Sequence, residues 1–471
     1  MSLSKSFNGN ILVLGAGAIC QCALPILLDR ITNFPAKVTV VDMDEKKKEA
    51  IASCLSRGVK FLKEELLKET LPDFLSSKLS KGDVLLDLAW EIDTLFLLSW
   101  CRDHNVIYLN TSLEVWDPVG EAMNNNPHPK DRTLYQRHYE LHMEINSFTP
   151  SSDGDKGPTG IFEHGANPGL VSHLVKKALS DLTQALLVDP KVDEDRKLKL
   201  KTALGYQQFN KLCQLTGTKV IHVSERDTQV GSVPRKTGEF LNTWSIPGFY
   251  EEGIAPVEIG WGTHEKYLPK GSHFHDQALE SHWRQTAGPN VKPSRGNCIA
   301  LSQPGMRSWA RSYVPEDGGD FIGILMPHGE CITMSDCLTT YDEDGNVEFR
   351  PSMYFVYCPC DAAVASMRDV EMRGFKLEGM PQRIMTDEIV SGKDKLGILL
   401  LGHDYDAWWT GSLLSIERAR ELAPGQNATS LQVAAGAIGG LLWAINNPRE
   451  GNVTYKLQII VYLYTSILVL A

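Results

Sequence analysis

Residues 10–42 constrain the fold of this chain more than any other stretch. Asn10 to Leu14 is an apolar strand that runs straight into the turn Gly15-Ala16-Gly17, and Ala18-Ile19-Cys20 opens the helix-like run Gln21–Leu28. A second apolar strand, Lys37–Asp42, follows and ends in an acid. Strand, glycine turn, helix and strand in this order form the first half of a doubly wound unit. In that unit Gly15 allows the tight turn, and Gly17 lets backbone N–H groups at the helix N-terminus approach a pyrophosphate. Asp42 lies 25 residues beyond Gly17, at a strand tip where an acid accepts hydrogen bonds from an adenosine ribose. The same carboxylate repels a 2′-phosphate, so the pattern selects NAD over NADP. Cys20 takes the place of the third glycine and is small enough for helix–strand packing. The expected cofactor contacts here are Gly15, Gly17, Ala18, Ile19 and Asp42.

With 471 residues the chain can bury two or three cores, and 42% hydrophobic with 22% charged residues excludes wholesale disorder. A net charge of −11 argues against nucleic acid as a partner and suits a cationic one. The ten cysteines show no paired CxxC spacing, and Cys358-Pro-Cys360 is too close-set for a zinc half-site, which points to reduced thiols in a cytoplasmic enzyme. The first strand begins too early for a secretory signal, so the sequons at Asn110, Asn427 and Asn452 are chance. Residues 457–471 are strongly apolar but shorter than the ~20 residues of a spanning helix, so no membrane association is expected.

Strand and helix patterns alternate through residues 1–120, predicting a parallel sheet: Asp83–Ala89 and Val106–Asn110 read as strands, Thr94–Arg102 as the helix between them. The loops after these strands carry Glu91, Thr111 and Glu114, where open α/β sheets bind ligands. Residues 121–158 read as a crossing helix near Tyr135–Met143 and a linker. Ile161 to Gly169 reads as a strand and a glycine loop holding His164, Gly165 and Asn167, feeding a helix at Leu170–Leu179. Residues 189–201 are charged and read as a surface insertion. From Val220 to Asp361 short β-runs predict an antiparallel sheet. The fold class is therefore α/β, a Rossmann-type doubly wound parallel sheet plus a second α+β domain. The expected domains are 1–150, 151–425 for substrate and dimer contacts, and 426–471, whose helix Leu431–Ile445 packs back on the first.

The second domain sets acids beside aromatics: Glu225 to Gln229, Trp244, Glu251, Glu252 and Trp261. Carboxylates with an indole suit a diamine or polyamine, because each ammonium seeks charge-assisted hydrogen bonds and an electron-rich ring face. The plain alternative is a Glu225–Arg226 salt bridge and a core Trp244, and the residues alone leave both open. His328, on a Pro-His-Gly turn, titrates where amine and imine chemistry moves protons. No metal site is expected: His164, His264 and His328 lack zinc-ligand spacing, and His273-Phe274-His275 reads as a surface loop. No Gly-x-Ser-x-Gly elbow supports a Ser-His-Asp hydrolase.

Six segments together resemble bacterial NAD-dependent homospermidine synthase: Tyr108–Trp116, His164–Ser172, Glu225–Gln229, Asn242–Ser245, Gly411–Glu417 and Asn427–Gln432. The resemblance runs from about residue 10 to about residue 450 and implies a saccharopine-dehydrogenase-like homodimer. It implies that hydride passes from putrescine, or from spermidine, to NAD. The imine so formed exchanges its nitrogen for the amine of a second putrescine, and the hydride returns to give homospermidine with ammonia released. Carried over, Trp244 holds a cationic amine or iminium, and Glu225, Glu252 and Glu114 anchor ammonium ends. Glu91 stands where the family has Asp. Asn167 lies by the nicotinamide, His328 assists proton transfer near Glu225, and Thr111, His164 and Gly165 complete the cofactor contacts. A longer stretch near 185–217 and the apolar pattern after Asn452 depart from the family. A saccharopine-type reductase would need an arginine for an α-carboxylate, where these motifs bring acids. A non-catalytic NAD-binding sensor would need neither Trp244 nor His328.

Overall fold

The computed structural model describes residues 7–31, 37–116, 138, 141, 142, 145, 156–275, 298–316 and 319–453. Most of the expected Tyr135–Met143 helix and all of the apolar 457–471 segment lie outside them. The chain divides into two compact units: residues 1–121, 144–170 and 417–471, and residues 122–143 and 171–416.

The first unit is built on a parallel sheet. Its strands run in the order Lys60–Lys63, Val38–Asp42, Ile11–Leu14, Val84–Asp87, Ile107–Asn110, Gly160–Ile161 and Asn452–Val453, with every pairing parallel. The reversal of strand order beside Ile11–Leu14 is the doubly wound switch point, where a ligand crevice forms. Strands covered on both faces must be apolar throughout, and Ile11–Leu14, Val84–Asp87 and Ile107–Asn110 are buried at every position. The boundary expected at residue 150 falls after 170 instead, because Gly160–Ile161 joins this sheet between Ile107–Asn110 and Asn452–Val453. Helix Ala428–Asn446 is apolar and long enough to cross a bilayer, yet 83% of its apolar window is buried, against helix Ala18–Arg30 and two strands of the sheet. It is a core helix of this unit.

The second unit carries a nine-stranded sheet among the described residues. Its main path runs His273–Phe274, Cys298–Pro304, Pro256–Gly260, Ser352–Cys358, Val220–Asp227, Lys393–Leu401 and Ala407–Ser415. The hairpin Trp309–Tyr313 with Asp320–Met326 branches from Ser352–Cys358. The sheet is mixed, not antiparallel as the short β-runs predict: Ser352–Cys358 lies parallel to Val220–Asp227. Parallel neighbours need a long crossover, and the 124 residues between Asp227 and Ser352 supply it. The charged 189–201 stretch contains the start of a capped helix, Glu194–Gly205, whose Asp193 accepts from the Arg196 N–H.

Candidate functional site

In the first unit the glycine turn is held from two sides. Gly15 has φ +84°, and a Cβ there would meet the Leu88 carbonyl oxygen at 2.7 Å, so neither backbone nor space admits another residue. Gly17 caps helix Ala18–Arg30 without a side-chain acceptor, and a Cβ on it would meet nothing within 4 Å. An uncapped helix N-terminus facing open space, with Ala18 and Ile19 half-buried in its first turn, fits a dinucleotide's pyrophosphate. Asp42 does more than wait for a ribose. Its Oδ2 accepts from the Ala16 N–H at 2.7 Å and from Lys47 Nζ at 3.0 Å, and its Oδ1 accepts from the Asp44 N–H at 2.9 Å. The acid therefore ties the turn to the second strand. Cys20 is a buried packing residue, its thiol pushed up to about 12 by burial.

Beyond the next strand ends lies a polar chain. Tyr108 Oη donates to Asp87 at 3.1 Å, and Asn110 Nδ2 donates to Tyr108 Oη at 2.9 Å and to Thr94 Oγ1 at 3.2 Å. Thr94 Oγ1 in turn accepts from the Glu114 N–H at 2.9 Å. The Glu114 carboxylate accepts from Ser112 Oγ at 2.8 Å and from the Glu91 N–H at 3.3 Å. Burial outweighs these bonds and raises both Glu114 and Asp87 to about 7. Glu91 sits at φ +60°, a left-handed turn that aims its N–H at Glu114. Asn110 Oδ1 accepts from the Glu163 N–H, fixing the loop that carries His164, Gly165 and Asn167. Burial lowers His164 to about 4, so its ring is neutral at pH 7, with Nδ1 3.0 Å from the Gly436 carbonyl. Gly436 is what allows this: a Cβ there would stand 1.9 Å from the Gly165 oxygen. Thr111 packs beside Gly165.

In the second unit one sheet face gathers acids and rings. Glu225 lies within strand Val220–Asp227, and its register partner on the parallel neighbour is Tyr357. Two residues along, on the same face, Asp227 stands directly across from Asp394. Asp227 is held by Thr243 Oγ1 at 2.7 Å and by the Gln229 N–H at 2.8 Å. Burial nonetheless pushes its carboxyl up. Trp244, half-buried, donates from Nε1 to Tyr357 Oη at 3.1 Å and packs against Phe249. Burial, with the fields of Glu225, Asp227 and Asp394, holds the Tyr357 hydroxyl well above its ordinary range. Rings continue through Phe355 to His328. His328 Nε2 is 3.0 Å from Glu252 Oε2 and Nδ1 is 3.7 Å from Glu330 Oε2. Burial opposes a charge on this imidazole, but the two carboxylates outweigh it and hold its pKa well above the usual value. The carboxylates beside His328 are thus Glu252 and Glu330. The distance along the chain hid this, since residue 252 is far from 328 in sequence.

Residues 11–149 match the saccharopine dehydrogenase NADP binding domain, and residues 165–460 match the saccharopine dehydrogenase C-terminal domain. A homospermidine synthase from Blastochloris viridis is 34% identical over 94% of this chain and 86% of its own length. One from Mesorhizobium japonicum is 32% identical over 94% and 85%. The chain belongs to the homospermidine synthase family. The crystal structure of a homospermidine synthase from Legionella pneumophila, in complex with NAD, superposes with a TM-score of 0.80 at 30% identity, covering 99% of this chain and 90% of that one.

For this homospermidine synthase family member, sequence reasoning overlooked four contributors. Asp227 was visible as the residue two beyond Glu225, on the same strand face. Asp394 is an acid inside the apolar strand Lys393–Leu401, and such an acid is a signal in itself. Tyr357 lies in strand Ser352–Cys358, within the short β-runs read only for their apolar character. Glu330, in the first turn of helix Gly329–Cys337, had no local signal that it would face His328.

Proposed function

We propose that this homospermidine synthase family member makes sym-homospermidine from two putrescines, or from spermidine and putrescine, with release of ammonia, as a cytoplasmic homodimer. The carrying observation is the sheet face on which Trp244 is bonded to Tyr357 beside Glu225, Asp227 and Asp394. Carboxylates and an indole ring bind cations, and they suit neither an α-carboxylate nor a neutral substrate. Gly15, Gly17, Ala18, Ile19, Asp42, Thr111, His164 and Gly165 would hold NAD, which would supply a hydride acceptor and then a donor.

The chain's own groups do the rest. Trp244 stabilises the iminium charge as it develops on the substrate, and Glu225 provides the countercharge. Glu114 and Glu91 take an ammonium end, and Glu114, poised at about 7, ionises when that ammonium arrives. His328 holds a proton at Nε2 against Glu252, and this pair moves protons as amine becomes imine and ammonia leaves. Asn167 positions the reacting carbon. The neutral ring of His164 adds no positive charge near a cationic substrate.

The test is to incubate the protein with NAD and putrescine deuterated at the amine-bearing carbons. Homospermidine and ammonia should form without matching NADH, and transferred deuterium should reappear in the product. NADH accumulating in step with product would show an ordinary amine dehydrogenase instead.

A further inference from the structure

The pair His273 and His275, read from sequence as a surface loop without ligands, has a buried partner in the fold. Strands Pro256–Gly260, Cys298–Pro304 and His273–Phe274 are consecutive neighbours in the mixed sheet. Their register places Glu258 opposite Ala300, Gly260 opposite Cys298 and His273 opposite Ala300. Alternation along each strand then puts Glu258, Cys298 and His275 on one face. Val257, Ile259 and Ile299 fill the apolar core on the other. His275 Nε2 lies 2.6 Å from Glu258 Oε1, with side-chain exposures of 4% and 0%. Donor atoms of all three residues fall within 4.8 Å of one another. Among the described residues the Glu258 oxygens take no hydrogen bond, and their ion-pair contact is with His275. A carboxylate this deeply buried is costly unless charge or a metal compensates it.

We infer that Glu258, His275 and Cys298 form a binding site for a divalent cation of borderline softness, with zinc the best match, on the sheet face that also carries Phe355 and Tyr357 but on the strands beyond them. Imidazole, thiolate and carboxylate are the zinc donor types, with bonds of about 2.0–2.3 Å that set tetrahedral ligands about 3.3–3.8 Å apart. The cluster needs only a small opening of its Glu258–His275 contact to reach that spacing. Charge also closes. One carboxylate and one thiolate neutralise a divalent ion, and the histidine binds as neutral imidazole, its close contact with Glu258 replaced by metal bonds. Burial, with the Glu258 carboxylate and the Cys331 thiol adding, keeps the Cys298 thiol well above its ordinary range. Cys298 binds as the thiolate, so its thiol proton is released on binding. A water completes the shell. The ion pins three neighbouring strands, a role in folding and stability and not in the reaction.

The test uses the full-length protein without an affinity tag, stripped with a chelator and titrated with cobalt(II) and then zinc. One cobalt per chain should bind with a thiolate-to-metal absorption band, and zinc should remove the band. Cys298→Ser should abolish the band, and Glu258→Gln should weaken binding. X-ray absorption of the zinc-loaded parent should show one sulfur with nitrogen and oxygen neighbours, which decides the matter even if the variants fail to fold. No binding at equimolar metal, a band that survives Cys298→Ser, or a zinc shell without sulfur would overturn the inference.

Discussion

Replacing Trp244 separates electrostatic catalysis from packing. The indole makes two contacts that matter: Nε1 donates to Tyr357 Oη at 3.1 Å, and the ring leans on Phe249 at a centroid distance of 5.6 Å. Trp244→Phe keeps a weaker π-face and deletes the donor, a loss of about 0.5–1.5 kcal/mol in stability. Trp244→Ala also removes the ring, and since the side chain is only half-buried it should cost less than the roughly 3–5 kcal/mol of a fully buried aromatic truncation. For catalysis, losing a cation–π contact of about 0.5–2 kcal/mol corresponds to a roughly 2- to 30-fold fall in kcat/KM. Tyr357→Phe is the control, because it deletes the hydrogen bond but leaves the indole face intact. Homospermidine formation, measured by chromatography on variants shown by circular dichroism to be folded, should decline in the order parent, Tyr357→Phe, Trp244→Phe, Trp244→Ala. Equal damage from Phe and Ala at position 244 would make the ring a packing element. Full activity in both would remove Trp244 from the site.

Asp42→Ala should weaken NAD by roughly tenfold or more, from the loss of hydrogen bonds to a charged group. It should also improve NADP, since Lys47, now paired at 3.0 Å, is released toward a 2′-phosphate; equal binding of the two cofactors by the parent, measured by calorimetry, would refute the role of Asp42. Glu→Gln at 225, 252 and 114 should each lower putrescine turnover by about tenfold or more and leave NAD affinity intact, whereas unchanged turnover in all three would move the diamine elsewhere. Burial raises Glu114 to about 7, so the parent loses stability as pH climbs from its unfolded value toward 7, and Glu114→Gln should gain relative melting temperature over that window. His328 has the opposite charge type. Its folded pKa is raised by Glu252 and Glu330, so its stabilisation is full below about pH 6.5 and is lost as pH rises through the folded value. The melting-temperature gap between parent and His328→Gln should therefore shrink with rising pH, and a constant gap would contradict a charged imidazole.

Local chemistry made the first unit legible. The glycine turn, the flanking apolar strands and Asp42 declare themselves within 33 residues, because a βαβ unit is built from neighbours in the chain and its cofactor contacts lie at its turns. Helix Ala428–Asn446 was equally plain as a helix, since small apolar residues without breakers admit little else. Its place was less plain: only the packed chain shows Gly436 letting the Gly165 loop approach. In the second unit the residue types pointed to a cation, but the pairings were not local. Asp227 meets Asp394 through strand register, Tyr357 meets Trp244 across a sheet, and His328 finds Glu252 and Glu330 from separate stretches of the chain. The same holds for His275, a loop residue by sequence that becomes a buried partner of Glu258 once three strands align. The sequence by itself determined the doubly wound nucleotide unit and the acidic, aromatic character of the candidate substrate residues. Tertiary structure decided which acids share a face, which histidine carries charge and which stays neutral. The physical reason is that desolvation and charge pairing depend on neighbours supplied by strand register and packing, which no local pattern in the chain records.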